Sequence, residues 1–230
     1  MRNAGCQLCG GQEAFFRIHM CVMKFEESVN MTARARASKL KPRTYTLKKR
    51  AESQAQTRQR IANAALELHS SIGPAATTFS MIAERAGVQR HTLYAHFPNE
   101  RDIFVACSGL AMERDALPGA EPWRAIADRR ERLRTGLTAI YAWYGRNAQL
   151  AACVLRDAEF HSLTKETAEA SMGPFMAAYH DVLGAKLTAK QRVMLGLALS
   201  FYTWRTLVRD GGITPAEAVE AMVQTVEGAD

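Results

Sequence analysis

Apolar positions recur at helical spacing from about residue 52 onward. Ile61, Ala64, Ala65, Leu68 and Ile72 share one face and predict an amphipathic helix of roughly twenty residues. The run Ser70-Ser71-Ile72-Gly73-Pro74 marks its end. Thr78 then stands where an N-cap hydroxyl accepts from a free backbone N–H, and Phe79, Ile82, Ala83 and Ala86 fall on one side of a short helix. The small Ala83 and Ala86 suit a closely approached helix pair. Gly87 predicts the stop, because a left-handed residue costs little only for glycine, and Val88 plugs the core at the turn. A second short helix over 89–97 turns Leu93 and Phe97 inward and His91, Thr92 and Ala95 outward, with Tyr94 and His96 on the flanks. Helix, glycine turn and helix make a helix-turn-helix.

The remainder reads as helical throughout. A helix over 101–111, with Ile103, Phe104, Cys107 and Leu110, links the first part to the second. Pro118, Gly119 and Pro122 mark a loop, and a helix is expected from Trp123 to about Trp143 on an Ile126, Leu133, Leu137 and Ile140 stripe. Asn147 is expected to break it toward a shorter helix with Leu150, Cys153 and Val154. Gly173-Pro174 interrupts or bends the next one, which resumes through Phe175, Tyr179 and Leu183. Thr188-Ala-Lys-Gln191 is a capping-box pattern ahead of a helix over 193–208, ended by Gly211-Gly212. Thr214-Pro-Ala-Glu217 is a second such box, opening a helix with Val219, Met222, Val223 and Val226. No strand pattern and no internal repeat appears. The expected fold class is all-α.

Charge changes this picture. The chain has 230 residues and a formal net charge of +7. Residues 31–60 carry ten basic side chains (Arg34, Arg36, Lys39, Lys41, Arg43, Lys48, Lys49, Arg50, Arg58, Arg60) against Glu52, a net of +9. The other residues hold 20 basic and 22 acidic groups, a net of −2. A near-neutral protein with a basic arm points to a polyanionic partner, although a solvated leader has the same composition. The hydrophobic share of 47% and charged share of 23% suit a globular chain and exclude collagen or wholesale disorder. No apolar run approaches the ~20 residues of a membrane span. The first thirty residues lack a signal-peptide layout, so the expected location is cytoplasmic. Five cysteines make an odd number and imply no disulfide framework. Cys6-x-x-Cys9 with His19 and Cys21 has zinc-like spacing, but one short CxxC without a core around it is as readily a chance match, and no metal or cofactor is expected.

On the second helix of the motif the outward residues can read base edges, and the flanking hydroxyl and imidazole groups suit phosphates. The stretch Ile82-Ala-Glu-Arg-Ala-Gly-Val88 followed by Thr92-Leu-Tyr94-Ala-His96-Phe97 closely resembles the DNA-binding domain of tetracycline-repressor-type (TetR family) transcriptional regulators, over about residues 50–110. The resemblance implies a three-helix head, binding to an operator as a dimer, and a separate helical ligand domain. It also implies roles. Thr78 matches the phosphate-contacting N-cap. Gln89, Arg90, His91 and Thr92 match the start of the recognition helix. Tyr94 and His96 match residues that hold the DNA backbone. The family usually has a phosphate-gripping lysine where this chain has Glu100. Either the adjacent Arg101 supplies that contact, or Glu100 turns aside to favour the N-terminus of the next helix. With Lys48, Lys49, Arg50 and Ser80, these residues make up the expected DNA-binding set.

The expected organisation is therefore a flexible extension with the basic arm (1–47), a helix-turn-helix domain (48–110) and a helical effector-binding and dimerisation domain (111–230). Trp123, Tyr141, Tyr144, Phe160, Met172, Phe175, Met176, Tyr179 and His180 suggest an apolar or aromatic effector pocket, though each also suits an ordinary core. His161 and His180, with Asp157 or Glu159, are weaker candidates for a polar effector atom, and Cys107 and Cys153 read as core thiols. The resemblance implies that the last two long helices form the dimer interface, through Met194, Leu197, Phe201, Val219, Met222, Val223 and Val226; the alternative is that they close a monomeric core. No Gly-rich phosphate loop, His-Glu-x-x-His or nucleophile elbow occurs, so an enzyme is not expected. The reading is a dimeric repressor released from double-stranded operator DNA by a small, largely apolar effector. The alternative is a DNA-binding regulator without such a ligand.

Overall fold

The structure, a computed structural model, describes residues 47–229. The possible zinc residues Cys6, Cys9, His19 and Cys21, and most of the basic arm, lie outside the described residues. The described residues fall into two units that divide between residues 57 and 58. In the first, residues 47–57 are helical and Lys48, Lys49 and Arg50 are exposed. The second unit is all-α, with no strand among the described residues.

It opens with α1 (residues 58–71), which places Ile61, Ala65 and Leu68 inward. Then come α2 (Phe79–Ala86) and α3 (Arg90–His96). Thr78 caps α2 by accepting from the Met81 amide, at 3.3 Å. Gly87 ends α2 at φ +63°, and its own N–H reaches the Ala83 and Glu84 carbonyls. That left-handed turn is what brings α3 across α2. Ile82, Ala83, Ala86, Leu93 and Phe97 join Ile61, Ala65, Leu68, Ile103 and Cys107 in one core.

The next helix, α4 (Glu100–Arg114), starts at Asn99, whose side chain accepts from the Asp102 amide at 3.0 Å. Glu100 and Asp102 occupy its first turn, where the helix dipole favours carboxylates. α4 reaches both cores. Ile103 and Cys107 belong to the first, and Met112 packs on a second built from α6, α7, α8 and α10.

In that second core, Trp123 sits in a single turn, α5 (Glu121–Arg124), and α6 begins only at Arg129 (Arg129–Ala158). The helix expected to start at Trp123 is thus two elements, and Asp128 caps the longer one by accepting from the Glu131 amide. Asn147 leaves helical geometry (φ −110°, ψ 15°), so α6 is kinked rather than ended. The Asn147 amide donates to the Trp143 carbonyl at 3.1 Å and to Asp115 at 2.7 Å, holding the kink against the end of α4. Helix α7 (Ser162–Leu183) accommodates Pro174 without ending.

The helix expected over 193–208 is divided. α8 (Ala189–Leu199) stops at Ser200, which is extended at ψ 132°. α9 (Phe201–Trp204) and a π-helical turn (Arg205–Asp210) follow. Tyr141 and Tyr144 donate to the Ala198 and Leu199 carbonyls, at 2.9 and 2.7 Å, beside the break. These long-range bonds, rather than a local breaker, accompany the interruption. Both capping boxes form. Thr188 and Gln191 open α8, and Thr214 and Glu217 open α10 (Pro215–Glu227), each with reciprocal bonds.

Candidate nucleic-acid interface and effector cavity

The outer face of α3 is built by its inner one. Leu93 and Phe97 are fully buried, so the helix is seated and its remaining positions must face away. The Arg58 guanidinium lies 4.0 Å from the Phe97 ring centroid and donates to the His96 carbonyl at 2.5 Å, closing the end of α3. Gln89, Arg90, His91 and Ala95 are exposed, while Thr92 and His96 are half-buried. Tyr94 is 44% exposed and packs its ring on Phe79 at 5.1 Å between centroids, which leaves its hydroxyl as the reaching group. Thr78 and Ser80 are exposed at the start of α2. The Thr78 oxygen accepts within the cap, and its O–H remains a donor toward an anion.

Arg101 has a different partner from the expected phosphate. It donates to Glu166 of α7 at 2.6 Å. Glu100 lies in the first turn of α4.

The aromatic set separates. Tyr141, Tyr144 and Tyr179 are buried and spend their hydroxyls on the carbonyls of Ala198, Leu199 and Pro118. Burial pushes all three phenols up. Trp123 stacks on Tyr179 inside the same core, and Phe175 packs against it. Phe160 is 71% exposed, and His180 is exposed. None of Trp123, Tyr141, Phe160, Phe175, Tyr179 or His180 lines either of the two spaces described next.

The first is an apolar cavity of about 90 Å³, which takes in Met172 together with Leu66, His69, Phe104, Cys107, Trp143, Leu150, Thr164, Thr167 and Ser171. Three of its hydroxyls, on Thr164, Thr167 and Ser171, are spent locally. Thr164 is bonded to the His161 ring, Thr167 donates to the Leu163 carbonyl and Ser171 to that of Thr167. Burial drives His69 down to about 4, so it is neutral near pH 7, and pushes the Cys107 thiol up to about 12. The cavity is therefore apolar and uncharged. The sequence signal that could have found it is Thr164, Thr167 and Ser171, small hydroxyls at helical spacing on one face of α7. Beside it lies an open groove of about 560 Å³, lined by Tyr144, Met172, Met176, Glu159, Lys165, Glu169, Phe201 and Tyr202 among others. Ala168 and Met172 border both spaces.

Of the expected dimer residues, Phe201, Val219, Val223 and Val226 are buried within the chain's own core, against α6 and α8, and present no outer face. Met194 and Met222 are half-buried. Leu197 is 48% exposed, and Val193, one turn before it, is 67% exposed. Among the described residues no group of three or more His, Cys, Asp or Glu is placed to hold a metal ion, and no helix is long and apolar enough to cross a membrane.

Residues 61–107 match the family described as bacterial regulatory proteins, tetR family. No curated protein matches the chain. Several solved structures share the fold at low identity. The fatty acid degradation regulator FadR from Bacillus halodurans is 17% identical, with a TM-score of 0.54, covering 75% of this chain and 95% of its own. AibR, solved with isovaleryl coenzyme A and operator DNA, is 17% identical at a TM-score of 0.55, covering 74% and 97%. FadR from Bacillus subtilis, solved with stearoyl-CoA, is 18% identical at a TM-score of 0.50, covering 75% and 98%.

Proposed function

We propose that the chain is a member of the tetR family of bacterial regulatory proteins, whose model matches residues 61–107, and that it is a cytoplasmic, dimeric repressor released from operator DNA by a small, largely apolar effector. The exposed polar face of α3, seated on buried Leu93 and Phe97, is the observation that carries the reading. Gln89, Arg90, His91 and Thr92 read base edges, and Thr78, Ser80, Tyr94 and His96 hold phosphates. Lys48, Lys49 and Arg50, with the basic arm, add sequence-independent attraction. Two chains meet through the exposed Val193 and Leu197 side of α8, so that two α3 helices enter successive major grooves ~34–36 Å apart.

Residues 111–230 carry the effector site. The apolar, uncharged lining of the cavity supports a small effector without ionised groups. At about 90 Å³, against about 560 Å³ for the groove beside it, the cavity supports a compact effector. The acyl coenzyme A ligands of AibR and of the Bacillus subtilis FadR support a second reading, in which an acyl thioester enters by the neighbouring groove. Against it, the groove's Lys165 already lies 4.0 Å from Glu169, with Glu159 nearby, a poor field for a polyanionic coenzyme.

Selection of duplexes from a random-sequence pool by the full chain tests DNA binding directly. The expected product is an inverted repeat, and recovery of no sequence overturns the reading. A thermal-shift series then compares uncharged apolar compounds with isovaleryl-CoA and stearoyl-CoA. Ligand at a hundred times its Kd adds about 2.7 kcal/mol of stability. A Tm rise with the thioesters alone replaces the first effector reading by the second.

A further inference from the structure

The turn between α1 and α2 is held from outside itself, at three points, by the last part of α6. The Cys153 thiol donates to the Ser70 carbonyl at 3.4 Å. Arg156 donates to the Ile72 carbonyl at 3.0 Å. The Asp157 carboxylate, 1% exposed, accepts from the Ala75 amide at 2.9 Å and from Arg156 at 2.7–2.8 Å. Gly73 passes through this grip at φ +98°, where a Cβ would lie 2.3 Å from Arg156 and 2.4 Å from Asp157. A side chain and the clasp cannot occupy the same place. From here the path to the reading surface is short and stiff. Thr77 donates to the Gly73 carbonyl at 2.7 Å, and Thr78 caps α2.

A buried carboxylate whose charge is met by one arginine and one backbone N–H is costly to establish, and its partners are costly to lose. It serves poorly as general glue, since apolar residues of like volume would hold these segments at least as well. What it adds is a single allowed geometry. The segment that bears it is also the one bordering the cavity. Beyond the Asn147 kink, α6 contributes Leu150, Ala151 and Val154 to the cavity wall, and the same stretch carries Cys153, Arg156 and Asp157. The kink itself is tied to Asp115 at the end of α4.

We propose that Asp157, acting with Arg156, is a positioning residue for DNA recognition: it clamps the turn ahead of the helix-turn-helix to the end of α6, so that the stance of α3 follows the stance of the cavity-lining half of α6. The proposal rests on the DNA-binding reading above and extends it. An occupant of the cavity displaces 148–158, the clasp carries that displacement to residues 72–78, and α2 and α3 move with them.

The test uses the full chain and an inverted-repeat duplex selected by the wild type. Affinity is measured for that duplex and for one with a single base pair inserted between its halves. A head held in one stance discriminates between these spacings, and a loosened head does not, whereas loss of global stability lowers both affinities alike. The wild type is expected to lose about tenfold on insertion, and Asp157→Ala less than about threefold. Should Asp157→Ala fail to fold by circular dichroism, Arg156→Met decides in the same way, since the Arg156 side chain is 54% exposed and its removal opens no void. Variants that fold and keep the wild-type spacing penalty overturn the clasp alone. A wild-type chain that selects no duplex overturns the DNA-binding reading, and the clasp with it.

Discussion

Two side chains with exposed and buried faces carry the clearest consequences at the residue scale. Tyr94 rests its ring on Phe79 and is 44% exposed, so Tyr94→Ala removes the proposed phosphate donor without touching the buried Leu93 and Phe97. The expected outcome is weaker binding to all duplexes alike, by about 1 kcal/mol, whereas replacing His91 or Thr92 changes which bases are preferred. Competition binding at one fixed salt concentration separates the two, and an unchanged affinity for Tyr94→Ala removes it from the interface. His69 is the buried counterpart. An ordinary histidine titrates near 6.5, and burial drives this one down to about 4, against the pull of Asp157. Between those pH values the unfolded chain takes up a proton that the folded chain refuses. Stability is therefore full above about pH 6.5 and declines as pH falls toward 4, by up to about 3 kcal/mol. Urea unfolding across this range measures it, and His69→Leu is expected to flatten the acid limb. An equally steep limb in that variant places the effect on other groups.

At the scale of elements, the α8–α9 break has a measurable support. Tyr144→Phe keeps the ring and removes the donor to the buried Leu199 carbonyl, and Tyr141→Phe does the same at Ala198. Each is expected to cost about 1–3 kcal/mol in denaturant unfolding; a loss within error in both means that the carbonyls find other donors. The same break marks where sequence reasoning stops. Elements closed by local chemistry were legible: the Thr78 cap, the Gly87 turn and the Thr188–Gln191 and Thr214–Glu217 boxes all form as short-range patterns require. Ser200 is no strong breaker, and its interruption coincides with two tyrosines more than fifty residues away, a relation that no local window contains. The apolar stripe of α10 was equally visible, but a stripe states only that a face is covered. Val219, Val223 and Val226 are covered by α6 and α8 of their own chain, and which neighbour covers them is a tertiary fact. Likewise, aromatic density suggested an effector pocket at Trp123, Tyr141, Phe175 and Tyr179, which pack into the core, whereas the cavity lies where small residues of α7 leave space against Phe104 and Trp143.

For the whole molecule, charge and apolar surface divide the labour of binding. The +7 net charge resides in residues 31–60, while 61–110 carry Arg85, Arg90 and Arg101 against Glu67, Glu84, Glu100 and Asp102, and Arg101 is engaged with Glu166. Deleting 31–47 removes Arg34, Arg36, Lys39, Lys41 and Arg43. The slope of log affinity against log salt is then expected to flatten by up to about 4 per bound chain, with base preference retained; an unchanged slope means that the arm does not touch DNA. Assembly is expected to depend on α8. Val193→Asp with Leu197→Asp places two charges on the exposed apolar side and should yield monomers by light scattering, whereas a persistent dimer puts the interface elsewhere. The cavity, finally, constrains how such a protein can diverge. Its wall mixes α7 and α6 with Leu66, His69 and Pro74, which belong to the segment leading into the helix-turn-helix. On the proposed function, a lineage that adapts this wall to a new small molecule therefore alters the footing of α3 in the same mutational step. Substitutions on the α7 side, at Thr164, Thr167 or Ser171, are the route by which ligand preference changes while the operator stays the same.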